Sequence, residues 1–335
     1  MTALRAGEEV APLRTGASGW SVGLDIGGTK VLGVLLDDAA TVRASVRVPS
    51  RPGTEGVVGA AAEVVGQLCH TAGIAPAGLA GVGAGVPGLV APLTGEVSHA
   101  VNLGISEQPV ALALLLADRL GGVPVTVEND LNVAAVGAAR VLGLGGDLAF
   151  LSLGTGVAAG LLLGGELRRG HRGGAGEIGH IPHDPAGPRC PCGQRGCLEL
   201  YASGAALGAA WPSRTGRPAA VELFEAAAAG DPAAVQVRDA FAGAVAAAVR
   251  LLVLTCDVEH VVLGGGVAEV GVPLLAAVAH QSRRQASGSP FLDSLRIADR
   301  VQLVPDGVPV APIGAALAVR DRVAANGHRR VPTPS

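Results

Sequence analysis

The sequence predicts an α/β protein in two similar halves, and three observations carry that expectation. The first is an internal repeat. Leu24-Asp-Ile-Gly-Gly-Thr-Lys-Val-Leu-Gly-Val-Leu-Leu36 aligns without gaps on Leu151-Ser-Leu-Gly-Thr-Gly-Val-Ala-Ala-Gly-Leu-Leu-Leu163. Each copy reads as strand, glycine-rich turn, strand, and one copy opening each half of the chain points to a duplicated domain. The second is the alternation of short β-type runs with stretches of helical period, the pattern of a sheet covered by helices. The third is length: 335 residues can bury a substantial core and divide naturally into two domains.

Composition narrows the function. Apolar residues make up 49% of the chain but aromatics only 2%, so the core must be Ala, Val and Leu packed close around many glycines. A net charge of −3 gives no electrostatic case for a nucleic-acid partner. No apolar run is long enough to span a membrane without charge or Gly/Pro breaks; the longest, Phe241 to Cys256, is interrupted by Arg250. Residues 1–19 carry charges and glycines where a signal peptide has an apolar core, and read as a disordered leader. Five cysteines, three of them bunched, fit a reducing cytoplasm.

Taken in order, Trp20 to Ile26 is a β-type run ending in Asp25-Ile-Gly27-Gly28-Thr29-Lys30, and Val31 to Leu36 continues apolar. Glycines there allow close backbone approach, and successive N–H groups of such a turn form an anion-binding nest. A plain hairpin turn fits the same residues. The second copy, at Gly154-Thr155-Gly156, favours a phosphate clamped between the halves. Thr54 to Ala72 has the period of a helix, with Val57, Val58, Ala61, Val64, Val65 and Leu68 on one face. Leu79 to Val86 is a strand entering the turn Gly85-Val-Pro-Gly88. Glu96 to Leu103 leads to Asn102-Leu-Gly104, where Asn102 is either a turn residue or a ligand contact. Pro109 to Leu120 reads as a helix opened by its proline. Val123 to Val127 is a buried strand, with Glu128-Asn129-Asp130 at its carboxyl end and a helix from Leu131 to Leu142 beyond. Ligands of open α/β sheets lie beyond such ends. Asp130 suits two roles, a helix N-cap or a general base taking the proton of a hydroxyl that attacks phosphorus.

In the second half a glycine-rich loop, Gly170 to Gly176, delivers Glu177 and His180. Helices follow at Val221 to Ala229 and from Asp231 to about Leu254, the latter with an Asp-Pro start suited to N-cap and N1. Its face of Val235, Phe241, Val245, Ala248 and Leu252 is core. His260 to Leu263 is a strand entering a third turn, Gly264-Gly265-Gly266, that suits either a nucleobase and ribose or a tight strand-to-helix corner. A helix from Pro273 to Arg284, a strand at Val301 to Val304 and a helix at Ala311 to Ala324 complete the chain, with residues 325–335 a flexible basic tail.

The densest chemistry lies between Glu177 and Glu199. His180, Cys190, Cys192 and Cys197 are imidazole and thiolate ligands of the kind zinc takes tetrahedrally. They fill all four positions and leave none for water, so the metal is structural. Three unrelated buried thiols are the alternative; a Cys190–Cys192 disulfide would close a very tight ring. Tying both ends of this loop to one ion would hold Glu177 and Glu199 towards a common cleft, where paired carboxylates suit the hydroxyls of a polyol.

On these residues the chain resembles the ROK family (repressor, open reading frame, kinase), and within it the glucokinase-like sugar kinases, from about Val22 to Val319. His180 with Cys190-Pro-Cys-Gly-Gln-Arg-Gly-Cys197-Leu-Glu199 is similar to the family's zinc signature. Asp25 to Lys30 and Leu153 to Gly156 resemble its phosphate motifs, and Leu263 to Gly266 its adenosine segment. The resemblance implies a two-domain actin/hexokinase/Hsp70-like ATPase fold with a duplicated βαβ core and an inserted zinc loop, 177–199. The halves would be 20–138, with helix 311–324 packing back on it, and 139–310. It implies Mg-ATP held by Asp25, Gly27, Gly28, Thr29, Lys30, Gly154, Thr155, Gly156, Gly264, Gly265 and Gly266. It implies a hexose held by Asn102, Asn129, Asp130, Glu177, His180 and Glu199, with Asp130 as catalytic base, structural zinc, and a cytoplasmic homodimer or homotetramer. Many glucokinases of the family follow Asn-Leu-Gly with an aromatic residue and an Asp; here Ile105, Ser106 and Glu107 stand there. Beside glucose, that leaves mannose, fructose, allose and N-acetylmannosamine open. The family also holds sugar-responsive repressors, but about twenty residues ahead of the first strand are too few for a winged helix-turn-helix.

Overall fold

The computed structural model describes residues 19–328. Its strands are β1 (Ser21–Ile26), β2 (Lys30–Leu36), β3 (Val42–Pro49), β4 (Gly81–Val86), β5 (Leu89–Ala91), β6 (Glu96–Ser98), β7 (Val125–Asn129), β8 (Leu148–Leu153), β9 (Val157–Leu163), β10 (Glu166–Leu167), β11 (His260–Gly264) and β12 (Val301–Leu303). The helices are α1 (Thr54–Ala72), α2 (Leu112–Arg119), α3 (Asp130–Leu142), α4 (Glu199–Ala202), α5 (Gly204–Ala210), α6 (Ala219–Ala228), α7 (Pro232–Cys256), α8 (Val272–Ala286), α9 (Pro290–Ser294) and α10 (Val310–His328).

Two five-stranded sheets repeat one plan. The first has the order β3-β2-β1-β4-β7 and the second β10-β9-β8-β11-β12. In each, an antiparallel hairpin closes around a glycine turn, with Ile26 opposite Val31 and Leu153 opposite Val157. Two parallel strands then extend the hairpin's first strand, β4 and β7 in one sheet, β11 and β12 in the other. This is the duplication read from the repeat. The parallel register also sets Asp25 opposite Gly85 and Val86 opposite Asn129, so the ends of β1, β4 and β7 reach one edge together.

The packing explains the glycines. A Cβ on Gly23 or Gly83 would strike backbone of α10, and one on Gly137 of α3 or Gly314 of α10 would strike the other helix's backbone. Gly160 of β9 meets the backbone of Leu131 at the start of α3 in the same way. Thus α10 lies directly on β1 and β4 and crosses α3, which in turn rests on β9. Arg320 of α10 is buried; its Nε donates to Ser21 Oγ (2.7 Å) and its guanidinium to the carbonyls of Gly19 and Leu36. Alanine dominates the α3 side of the core, where Ala134, Ala135, Ala138 and Ala139 pack with Leu148, Phe150, Leu162 and Val310.

Several expectations need correction. Pro109 does not open a helix: Val97 and Val110 exchange both backbone hydrogen bonds (2.9 Å each), which holds the chain extended until α2 starts at Leu112. The strand expected at Val123 to Val127 runs from Val125 through Asn129, because pairing with β4 continues to Asn129. β3 had no counterpart in the sequence reading. It is an edge strand whose Arg43, Ser45 and Arg47 alternate with small apolar residues and stay largely outside the core. The terminal helix continues to His328, so the first residues of the expected tail are helical; residues 1–18 and 329–335 lie outside the described residues. One described helix, α7, is long and apolar enough to cross a membrane by length and composition. Here it is a core helix, with Phe241, Val245, Ala248 and Leu252 buried under the second sheet. Asp231 caps it as expected, its Oδ1 accepting from Ala233 N (2.8 Å) and Ala234 N (3.2 Å).

Candidate active site

The edge formed by β1, β4 and β7 gathers acids. Asp25 sits at the end of β1 with its carboxyl raised above the usual range by burial, against which Lys30 acts. Asp130, first residue of α3, is pushed up to about 6 by burial, then by the negative charges of Asp25 and Glu177, despite accepting from Leu131 N (2.9 Å). A carboxyl tuned towards neutrality at the end of a parallel strand has the profile of a proton acceptor. The two sequence readings of this turn resolve between neighbours. Asn129, not Asp130, is the N-cap, its Oδ1 accepting from Leu131 N (2.9 Å) and Asn132 N (3.4 Å) while its amide donates to the Gly88 carbonyl (3.2 Å). That leaves the Asp130 carboxyl only a backbone contact.

Two of the three glycine turns adjoin other candidate residues. Neither Gly27, Gly28, Gly154 nor Gly156 has a positive φ, so these glycines answer a need for space rather than for conformation. A Cβ on Gly28 would stand 2.9 Å from the Asn102 carbonyl, and one on Gly156 3.0 Å from Glu199 Oε2. The first turn therefore abuts the Asn102 loop and the second abuts Glu199. Thr29, Lys30 and Thr155 are exposed on these turns. The third turn divides. Gly264 lies against the Phe150 ring, and Gly265, at φ +82°, is wedged on the Leu153 backbone, so both make a tight corner; Gly266 has open space before it. Asn102 is exposed, whereas Ile105, at the family's aromatic position, is buried in the first core.

Glu177 and His180 flank a single helical turn, Ile178–His180, seated where Gly179 meets the backbone of Val157. His180, Cys190, Cys192 and Cys197 converge, their ligand atoms within 4.8 Å of one another. Cys192 and Cys197 Sγ are 3.6 Å apart, and Cys190 Sγ is 3.9 Å from His180 Nδ1. Tetrahedral ligands about 2.3 Å from an ion lie at such separations, so the donor set fits zinc. The Gln194 backbone N–H is first among the contacts that hold the Cys192 thiol down to about 6. Cys190 is pushed up to about 12 and burial raises Cys197, so without an ion the three adjacent thiols favour one thiolate, on Cys192. Glu199 leans on this cluster, its Oε1 3.1 Å from Cys190 Sγ and 3.6 Å from His180 Nδ1.

The ROK family model matches residues 21–303, spanning both sheets, the acid edge and the cysteine loop. The chain belongs to the ROK family. Over 193 residues it is 34% identical to a glucokinase of Streptomyces coelicolor, covering 56% of this chain and 58% of that protein. A glucokinase of Halalkalibacterium halodurans is 32% identical over 297 residues, 81% of this chain and 89% of that one. The crystal structure of a ROK glucokinase from Streptomyces griseus, in complex with glucose and AMPPNP, superposes with a TM-score of 0.73 at 31% identity, covering 92% of this chain and all of that one. That likeness carries the actin/hexokinase-type fold to this ROK chain. Xylose repressors and an N-acetylmannosamine kinase are further relatives.

One buried acid beside this edge was given no role by sequence reading. Glu128, at the end of β7, is buried beside Asn129 and Asp130, with Arg169 on its Oε2 at 2.6 Å and Asn132 Nδ2 on its Oε1 at 2.9 Å. An acid directly ahead of the Asn-Asp pair is the one local signal; its partner lies 41 residues away.

Proposed function

We propose that this protein is an ATP-dependent hexose kinase that transfers the γ-phosphoryl group of Mg-ATP to the 6-hydroxyl of a hexose, glucose in the first instance, with Asp130 as general base. The observation that carries this reading is the raised Asp130 carboxyl at the end of β7, set among Asp25 and Glu177 and near the glycine turn of the first sheet. Ionised above about pH 6, it accepts the hydroxyl proton as the sugar oxygen attacks phosphorus; positioning then supplies much of the rate. The turns Gly27 to Thr29 and Gly154 to Gly156 would meet the phosphates through the N–H groups of Gly28, Thr29, Thr155 and Gly156, because Gly27 N and Gly154 N already donate to the Lys30 and Gly156 carbonyls (3.0 and 3.1 Å), and Asp25 would organise magnesium. Gly266, open in front, is the part of the third turn free to meet the nucleoside.

Asn102, Glu177, His180 and Glu199 are assigned to the sugar hydroxyls, with Asn129 holding the turn beneath them. Zinc on His180, Cys190, Cys192 and Cys197 would crosslink the loop 177–199. The loop's own residues, in particular Glu199 against Gly156, link the sugar side to the phosphate side. The two sheets serve as lobes of 20–138 and 139–310 that close on substrate and exclude water, although α3 runs unbroken across that division. Assembly as a homodimer or homotetramer belongs to the same reading.

A second reading, a kinase for another hexose or for N-acetylmannosamine, is favoured by Ser106 and Glu107, both exposed beyond Asn102 where glucokinases differ. The test is sugar-dependent ADP release from Mg-ATP across glucose, mannose, fructose, allose and N-acetylmannosamine. Turnover on glucose supports the first reading, and turnover confined to another sugar supports the second. Silence on all five, in protein shown to hold zinc, refutes both.

A further inference from the structure

We infer that Glu128 and Arg169 form a strap between the two sheets that sets the Asp130 turn against the loop carrying Glu177, which makes both of them positioning residues for phosphoryl transfer. The inference rests on the reading of Asp130 as base.

Glu128 holds the turn from one side. Its Oε1 accepts from Asn129 N (3.0 Å) and Asn132 Nδ2 (2.9 Å), so one carboxylate oxygen spans the residues on either side of Asp130. Its other oxygen takes Arg169 Nε at 2.6 Å, with the Glu128 side chain 9% exposed and that of Arg169 38%. Arg169 follows β10 in the second sheet and begins the glycine loop, which its own carbonyl closes by accepting from Ala175 N (3.3 Å). At the loop's far end Gly176 is pinned to β9, its carbonyl accepting from Ala159 N (2.8 Å), with no room for a Cβ. Glu177 comes next. The path from Asp130 through Glu128 and Arg169 to Glu177 is therefore fixed at each joint, and it crosses from β7 of one sheet to the second. A carboxylate so buried is costly to leave unpaired, so loss of the arginine frees the turn rather than leaving it in place.

The experiment is a double-mutant cycle on sugar-dependent turnover, using Glu128→Gln, which keeps an acceptor on Oε1, Arg169→Ala, the pair combined, and Arg169→Lys. If the residues act through one another, each single variant lowers kcat about tenfold while KM for Mg-ATP moves less than about twofold. The double variant falls no further than the worse single, and Arg169→Lys recovers most of the rate. Zinc content, measured alongside, stays near that of the wild type, and each variant keeps a cooperative thermal transition above the assay temperature, Arg169→Ala melting lower than Arg169→Lys. Wild-type kcat in either single variant, or a double variant whose loss is the product of the two, overturns the strap. Asp130→Asn is run in the same assay to keep the two ideas apart: turnover retained there removes the base, whereas the strap is judged only by its own four variants against wild type.

Discussion

Asp130→Asn should make the folded protein more stable while it lowers turnover by orders of magnitude. The ordinary carboxyl of an unfolded aspartate titrates near 3.8, and in the fold Asp130 is pushed up to about 6 by burial and by Asp25 and Glu177. The folded state thus holds the proton more tightly than the unfolded chain. Stability is unpenalised below 3.8, falls as pH rises through the window, and carries the full penalty above about 6. At about 1.4 kcal/mol per pH unit the gap amounts to as much as about 3 kcal/mol at pH 8, shrinking to about 1 kcal/mol at pH 4.5. Asparagine carries no charge, and its Oδ1 can still accept from Leu131 N, so the variant escapes the penalty and keeps the contact. The assay is paired urea or thermal denaturation of wild type and variant at both pH values, with phosphotransfer measured on the same samples. The variant should gain most at pH 8 and least at 4.5, and lose about 10²- to 10⁴-fold in kcat. A variant no more stable than wild type at pH 8, or one with an equal gain at both pH values, refutes the argument that a buried charge is held at the site.

Three further outcomes follow from the same geometry. The pH profile of kcat/KM should fall on the acid side with a midpoint near 6, where Asp130 takes up its proton; a profile flat down to pH 5 removes it as base. Cys192→Ser should lower zinc content and raise KM for the sugar by about tenfold through the Glu177 and Glu199 carboxylates, with KM for Mg-ATP changed less; equal zinc and equal KM exclude the orienting role of the cluster. Gly83→Ala should destabilise by at least about 1–3 kcal/mol, because the new Cβ meets the Ala315 backbone and the helix must lift; an unchanged denaturation midpoint contradicts the packing of α10 on β4.

Much of this fold was legible because its signals are local. The β1–β2 and β8–β9 hairpins announce themselves by a turn sequence that occurs twice, and α1 begins and ends where Thr54 and Ala72 placed it, closed by Gly73 in the left-handed conformation. The cysteine loop was legible because four soft ligands within eighteen residues have few other uses. What escaped depends on partners distant in sequence. Val110 is extended only because Val97 lies beside it, which no periodicity around Pro109 reveals. Gly264 and Gly265 suit a nucleoside contact or a tight corner equally by sequence, and only the Phe150 ring and Leu153 backbone beside them show the corner. The cap expected at Asp130 falls to its neighbour Asn129, which only side-chain geometry reveals. The Arg169–Glu128 pair joins residues with no common motif.

The placement of α10 bears on how the polypeptide is made. β1 and β4 emerge early in synthesis, yet their Gly23 and Gly83 face lies against a helix that begins at Val310, and Arg320 of that helix satisfies the carbonyls of Gly19 and Leu36. Until α10 has left the ribosome, that sheet has one face uncovered. The second sheet, whose strands and covering helix α7 all lie between Leu148 and Leu303, can close its own core first. Each sheet can close one face from its own stretch of chain, but the α10 face of the first sheet is completed last, and a truncation removing α10 would bare the glycines of β1 and β4.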